Sequence, residues 1–464
     1  MKVLVFNGSP KGKTSITQKH VEFFSMNFPE VEFRTVYISK EIKKFENSSE
    51  YKSETLKFID DSDLILFAWP VYYMSVPAPY LRFFEIIQDL HLDKHFSGKS
   101  GALFSTSIHF FDHTSHDYVR SMCDILDMNF TCGLSAHMED MTKTEGAAKM
   151  IGFMKKAIRL SKNNHRTPKQ FEKIISPEFR YNPGKACTEI DSGESSVVIL
   201  TDHGSDSNLG SMVERFAGNF KFPPRIVHLR EAELVSGCMG CLKCAGDQIC
   251  IFNNKDNHRK IVEEIIVPSD MLVIAADLRH GYFSAEWQKF LTRLFYNGHV
   301  PLVKNKFMGF LFSGGFNKRP FIREIFEGFL LHSDNSILEF ISDEVNDSKL
   351  LDTMIDSMAV EMMNDFNEKY IPFMKFPAVG AHKLFRDEVY GRLGFVFEYD
   401  YKHFKSNKLF DFPTGKPHMS ILRFLLSSVL KIPPFRRRFY MKEMIPGMLR
   451  PYDKVLKKIK TKTP

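Results

Sequence analysis

Residues 2–17 read K-V-L-V-F-N-G-S-P-K-G-K-T-S-I-T, an apolar run that ends in a Gly/Ser/Pro turn and passes directly into helical spacing. Lys2–Phe6 predicts a buried strand and Ser15–Met26 a helix. Between them lies a loop suited to phosphate. Backbone N–H groups at a helix start favour an anion, and glycine lets the backbone approach closely. The hydroxyls of Ser9, Ser15 and Thr17 add donors, and Lys11 or Lys13 adds charge. The loop departs from that of a nucleotide triphosphatase, which needs four residues between its first Gly and Gly-Lys-Ser/Thr; that motif and a merely structural turn are the alternative readings. Only Ser9, Pro10 and Lys11 separate Gly8 from Gly12, and the third predicted strand ends in Ala68-Trp69-Pro70, without an Asp for magnesium.

Outward from this loop, Val31–Tyr37, Asp63–Trp69 and Gly101–Ser105 are further apolar runs with helical stretches between them. Alternating strand and helix predicts a parallel sheet covered on both faces. The order then repeats. Ser196–Thr201, a helix through Phe216, Arg225–Leu229, Met271–Asp277 and Phe307–Ser313 form a second series. The expected division is a first α/β domain over 1–160, a Lys/Asn/Pro/Ser-rich linker over 161–195, a second α/β domain over 196–370 and a basic C-terminal extension over 371–464. In the extension, Ile421–Ile432 is too short to span a bilayer. A solvated basic tail packed on the body is the plain reading, and weak attachment to anionic lipid or an acidic partner is the alternative.

Ligands of open α/β sheets bind at the carboxyl ends of strands. There the third strand runs into W-P-V-Y-Y-M-S-V-P-A, residues 69–78, an aromatic turn that would accept a flat ring. Tyr72 and Tyr73 as core aromatics are the alternative reading. The fourth strand ends in F-S-T-S-I-H-F-F-D-H-T-S-H-D, residues 104–117, a polar loop on the same rim. It reads as a ring-edge loop or a helix start with Ser/Thr caps. His109, His113 and His116 on one helical face would be the alternative, a metal site.

Cys238, Cys241, Cys244 and Cys250 are spaced C-x2-C-x2-C-x5-C, four of the seven cysteines in one short stretch. Zinc sites usually split their ligands into two separated pairs, whereas this compression suits a [4Fe–4S] cluster. Redox or structural thiols and a zinc site stay open as alternatives.

The three rim loops of the first half, G-S-P-K-G-K-T-S-I-T, W-P-V-Y-Y-M-S-V-P-A and S-T-S-I-H-F-F, resemble those of the flavodoxin-like NAD(P)H-dependent FMN reductase family. The resemblance covers about the first 150 residues and departs at Ile16, where Asn is usual. It implies phosphate contacts from Ser9, Lys11, Ser15 and Thr17, and ring contacts from Pro70, Val71, Tyr72, Tyr73, Ser105 and Thr106. The second half resembles the same fold and, at the cysteine run, the iron–sulfur flavoproteins of that superfamily. The whole is therefore expected to be two tandem flavodoxin-like doubly wound parallel sheets plus the C-terminal extension. The second phosphate loop, Thr201–Leu209, has no Lys or Arg, and Asp202 and Asp206 would repel phosphate. The later turn lacks the Pro-Val-Tyr core, with Arg279 as a substitute cation. A second FMN site is expected to be weaker or lost.

The resemblance implies an FMN-dependent NAD(P)H oxidoreductase. It would pass electrons from nicotinamide through FMN, by way of a [4Fe–4S] cluster if one is bound, to a small-molecule or protein acceptor. A flavodoxin- or ferredoxin-like carrier without nicotinamide turnover is the alternative, and a cofactor-free binding module the third. No G-x-G-x-x-G fingerprint occurs, so a separate nicotinamide domain is not expected. A net charge of +7 is too modest to indicate nucleic acid. No run is long enough for a membrane span, the start lacks a secretory pattern, and a cytoplasmic location is expected. A homo-oligomer stays open.

Overall fold

The computed structural model describes residues 1–464 except 175–178, 186–188, 205, 279, 299, 331–332, 392, 413–420, 422–424, 426, 445, 447–448 and 451–464. Cys187 and Arg279 thus lie outside the described residues.

The first half runs β1 Lys2–Asn7, α1 Ile16–Asn27, β2 Glu32–Val36, α2 Ile42–Asn47, α3 Ser49–Asp60, β3 Leu64–Pro70, α4 Ala78–Asp89, β4 Ser100–Ser107, α5 Asp112–Ile125, β5 Asn129–His137 and α6 Thr144–Lys162. Its strands are all parallel in the order β2-β1-β3-β4-β5. The second half runs β6 Val197–Thr201, α7 Asn208–Ala217, β7 Arg225–His228, α8 His258–Ile261, β8 Met271–Asp277, α9 Ala285–Arg293, β9 Phe307–Ser313, α10 Pro320–Leu330, β10 Ser336–Ser342 and α11 Ser348–Glu368. Read from its other edge, its order is β7-β6-β8-β9-β10, the same topology again. The expected pair of flavodoxin-like doubly wound sheets is the observed architecture. Central strands β3 and β8 are buried on both faces, which is why L-I-L-F-A-W and M-L-V-I-A-A are continuous apolar runs.

The two halves share one core. Helix α4 packs on α9, and α5 on α10, so the helices in matching positions of each half face one another. Their apolar sides, including Tyr80, Phe84, Tyr118, Trp287 and Phe326, merge with Tyr282 of the turn before α9 into a single cluster between the sheets. Two outer clusters lie beneath α1 and α6 of the first half and beneath α7 and α11 of the second. Polar bonds fix the seam. The backbone N–H of Ala285 donates to Glu85 Oε1 (2.6 Å), and Gln288 Nε2 donates to the carbonyls of Tyr72 and Val76 (3.0 Å each).

The expected C-terminal extension divides. Helix α12, Phe376–Tyr390, and the chain through Phe404 belong to the same unit as both sheets, and a second unit begins at Lys405. Helix α12 packs on α10 and reaches the loop after β4, where Phe385 lies 4.2 Å from Phe110 between ring centres. Helix α13, Glu398–Ser406, follows. In the second unit, helix α14 spans Pro433–Arg438, with Pro at its first turn where no intrahelical N–H is needed.

Candidate functional site

The loop after β1 is shaped by a close backbone approach. A β-carbon on Gly8 would stand 2.9 Å from Tyr80 Cγ and 3.0 Å from Trp69 Cβ, so only glycine fits. Gly12 has a φ of +57°, in the left-handed region. Ser15 caps α1, accepting from Gln18 N at 3.0 Å and donating to the Gly12 carbonyl at 2.8 Å. Ser9 Oγ accepts from Lys11 N (3.3 Å). Thr17, in the first turn of α1, has its hydroxyl 2.8 Å from that of Thr106. That bond joins the first turn of α1 to the end of β4. Ser9, Ser15 and Thr17 are buried at this helix start, while Lys11 and Lys13 are exposed.

The loop after β3 is a tight turn. Tyr72 N donates to Ser75 O (2.9 Å), and Tyr73 and Met74 both have positive φ, 49° and 65°. Pairs of left-handed residues are costly without glycine and persist where surroundings hold them. Here Thr114 Oγ1 donates to Met74 O (2.7 Å), and Gln288 holds Tyr72 O from the second half. Val71 N is committed to Thr106 O at 3.2 Å. Tyr73 packs against the shared core near Tyr282, so its side chain serves the seam between halves. Pro70 ends β3 opposite Thr106.

At the end of β4, Ser105 and Thr106 are buried. Ser105 Oγ lies 2.8 Å from His116 Nε2 and 3.1 Å from Ser135 Oγ. Ser135 in turn donates to Asp112 Oδ2 (2.6 Å), which also bonds His109 Nδ1 (2.7 Å). Burial works against the Asp112 carboxylate, but the bonds from His109 and Ser135 prevail and hold it at about 2. Burial pushes His116 down to about 4, so it is a neutral ring at pH 7. The three histidines therefore do not converge. His109 pairs with Asp112, His113 Nε2 meets Glu324 Oε1 at 3.2 Å, and His116 serves Ser105. The Ser/Thr cap expected for α5 is corrected as well: its cap is Phe111 with a φ of 48°. The Asp112–Ser135–Ser105–His116 network carried no sequence motif, since Ser135 arrives on a strand the periodicity did not reveal.

The cysteine loop of the second half comes to this rim. A β-carbon on Gly240 would stand 2.0 Å from Tyr72 Oη and 3.3 Å from Lys11 Cε. Cys238 and Cys241 lie near enough to the Tyr72 phenol to act on it. Burial pushes that phenol up, and the two cysteines add to the push. Cys238, Cys241, Cys244 and Cys250 line one cavity with Met239, Leu242, Phe252, Arg293, Phe295 and Tyr296. None of the four is in a disulfide. Left-handed residues Gly240, Leu242 and Gln248 turn the chain back around the cavity. Cys238 Sγ accepts from Gly240 N (3.3 Å), and its own N–H donates to Thr292 Oγ1 (3.1 Å). Burial raises Cys238 to about 11 and Cys244 to about 12. The buried pair Arg293–Asp256 (2.7 Å) braces the loop, since Arg293 also donates to Ser236 O.

Among the described residues, no three His, Cys, Asp or Glu side chains group as a single metal ion requires. One tetrahedral zinc would draw its sulfurs to about 3.8 Å from each other. The cysteine loop does not present that arrangement, and neither do the histidines. In a [4Fe–4S] cubane each thiolate binds its own iron, so the sulfurs stand further apart around a shared space. Here four unbridged cysteines line one mostly apolar cavity, with an N–H already on one sulfur.

The rim of the second half is occupied by the chain itself. Ile174, from the linker, packs on Gly281 and Gly315 so closely that a β-carbon at Gly315 would stand 2.6 Å from its Cγ1. Arg319 Nη2 holds the Glu172 carbonyl at 2.8 Å. Asn208, at the start of α7, is committed to Phe179 O, Asp343 Oδ2 and Tyr181 N. Asp202 accepts from Asp277 N (3.2 Å) and Ser284 Oγ (3.1 Å), and burial lifts it to about 6.

With this geometry in view, residues 1–135 match the family model of NADPH-dependent FMN reductase. No curated protein matches the sequence. Among solved structures, the chain is similar to an NADH:FMN oxidoreductase, EMOB, in its apo form, at 14% identity, covering 36% of this chain and 91% of that one with a TM-score of 0.30. It is similar to an FMN-dependent NADH-azoreductase from Bacillus anthracis in complex with FMN, at 11% identity, 34% and 99% coverage and a TM-score of 0.25. It is also similar to FerB, an NAD(P)H:(acceptor) oxidoreductase from Paracoccus denitrificans, at 15% identity, 34% and 97% coverage and a TM-score of 0.28. The family match covers the first sheet and its three rim loops, residues 1–135 of the 464.

Proposed function

We propose that the chain is an FMN-dependent NAD(P)H oxidoreductase with one flavin site, on the rim of the first half, and a [4Fe–4S] cluster in the cysteine cavity beside it. The contact of Gly240 with Tyr72 and Lys11 carries this reading, because it brings the cysteine loop against both the ring loop and the phosphate loop. When bound, FMN supplies two-electron chemistry with nicotinamide and one-electron chemistry with a cluster.

The chain's residues divide the work. Ser9, Lys11, Ser15 and Thr17 hold the phosphate at the start of α1, where backbone N–H groups add their partial charge. Pro70, Val71 and Tyr72 border one side of the ring, and Ser105 and Thr106 another. Tyr73 borders it through backbone alone, its side chain being committed to the core. His116 orients the Ser105 hydroxyl without adding charge. Cys238, Cys241, Cys244 and Cys250 hold the cluster, and Arg293, paired with buried Asp256, forms part of the cavity wall. The second half contributes the cluster but no second flavin, since Ile174 and two acids, half-buried Asp202 and buried Asp343, fill its rim.

Steady-state oxidation of NADH and NADPH by the flavin-loaded chain, with a quinone, free flavin or ferricyanide as acceptor, tests the activity. Turnover with at least one pair supports the reading. Flavin that is reduced only by an added reductase, and never by nicotinamide, assigns the chain to electron carriers instead.

A further inference from the structure

The charge of this chain is divided unevenly. Residues 405–464 contain 15 Lys or Arg and three Asp or Glu, a net of +12. The whole chain is +7, so residues 1–404 carry −5. The basic unit also leaves bulky apolar side chains in solvent. Ile421, Leu425 and Val429 are exposed at four-residue intervals, the spacing of one helical face. Phe435 is 55% exposed and Met441 73%. Between these two stand Arg436, Arg437 and Arg438, all exposed, with exposed Lys431 and Lys442 outside them.

Positive charge alone would suit any polyanion. The apolar side chains decide between partners. A sugar–phosphate backbone gives isoleucine, leucine, valine and methionine nothing to bury against. An anionic bilayer takes cations at its headgroups and apolar side chains at the acyl boundary beneath them. We propose that residues 405–464 dock on an anionic lipid surface, with Arg436–Arg438 at the headgroups and Ile421, Leu425, Val429, Phe435 and Met441 entering the interface. Docking is peripheral, because no helix among the described residues is long and apolar enough to cross a membrane.

Sedimentation of the full-length chain with vesicles tests this. The vesicles are phosphatidylcholine alone, or phosphatidylcholine with about one-third phosphatidylserine. Binding to the anionic vesicles is expected to be at least about ten-fold stronger and to fall steeply with added salt. Replacing Arg436, Arg437 and Arg438 together by Gln should weaken it about a hundred-fold. The pair Phe435→Ser and Met441→Ser should weaken vesicle binding yet leave retention on a heparin column unchanged. Flavin content serves as the folding control in each variant. Equal sedimentation with both vesicle types, or none with either, overturns the proposal. Binding of single-stranded RNA without vesicle binding also overturns it and assigns the unit to nucleic acid.

Discussion

Gly240 lies over Tyr72 so closely that one added carbon would stand 2.0 Å from the phenol oxygen. The two residues belong to different halves and to loops with different tasks. Gly240 sits between the first two cysteines of the run, and Tyr72 opens the turn that faces the expected ring. Gly240 also has a φ of +63°, so both its conformation and its lack of a side chain are used.

Gly240→Ala should therefore separate the two loops. Left-handed strain costs about 1–3 kcal/mol, and the clash adds to it. Iron content and the rate of electron passage out of the flavin should fall, while FMN stays bound within about two-fold. Tyr72→Phe in the same chain should restore part of the loss. Iron analysis and stopped-flow absorbance check both statements; an unchanged rate in the single variant would refute the contact's role.

Cys241→Ala should abolish the cluster and leave FMN bound. A cubane missing one thiolate ligand is exposed to loss of iron. Iron, sulfide and flavin counts on anaerobically prepared protein provide the check. Equal loss of FMN would mean that the two sites are not separate.

Thr17→Val should weaken FMN binding about ten-fold, the worth of a buried hydrogen bond that also ties two rim loops. Thr17 and Thr106 share one bond of 2.8 Å. Thr106→Val should thus cost a similar amount, and the double variant little more than either single one. Fluorescence titration of the apoprotein with FMN measures all three. Fully additive losses would show that the two hydroxyls act separately.

Asp202→Asn should stabilise the protein at neutral pH. Burial raises this carboxyl to about 6, above its ordinary 3.8. A raised folded-state value favours folding below the unfolded value and disfavours it as pH rises through the folded one. The variant should match the wild type below pH about 4 and gain on it to pH about 6, by up to about 3 kcal/mol. Denaturation in urea across that range measures the difference. A constant difference would contradict the assignment.

Much of the fold was legible because β3, β8 and β9 are buried on both faces and read as unbroken apolar runs. Edge strands β5 and β10 escaped. N-F-T-C-G-L-S-A-H and S-I-L-E-F-I-S mix polar residues among the apolar ones, as strands at a sheet's margin do. In the candidate site, the glycine turn that opens α1 and the cysteine run were visible from spacing. The parting of His109, His113 and His116 was not, since each partner lies on another element. Asp202 and Asp206 led the sequence reading to expect a second rim poor for phosphate. That Ile174 fills it depends on the path of the linker, which composition does not encode.

The most direct test is a cofactor count on anaerobically purified protein: FMN, iron and sulfide per chain, with a visible spectrum. The account predicts one FMN, about four irons, and flavin bands on a broad iron–sulfur shoulder. Two FMN per chain would contradict the closed second rim, flavin without iron would contradict the cluster, and protein that stays colourless after FMN is added would contradict the flavin site itself.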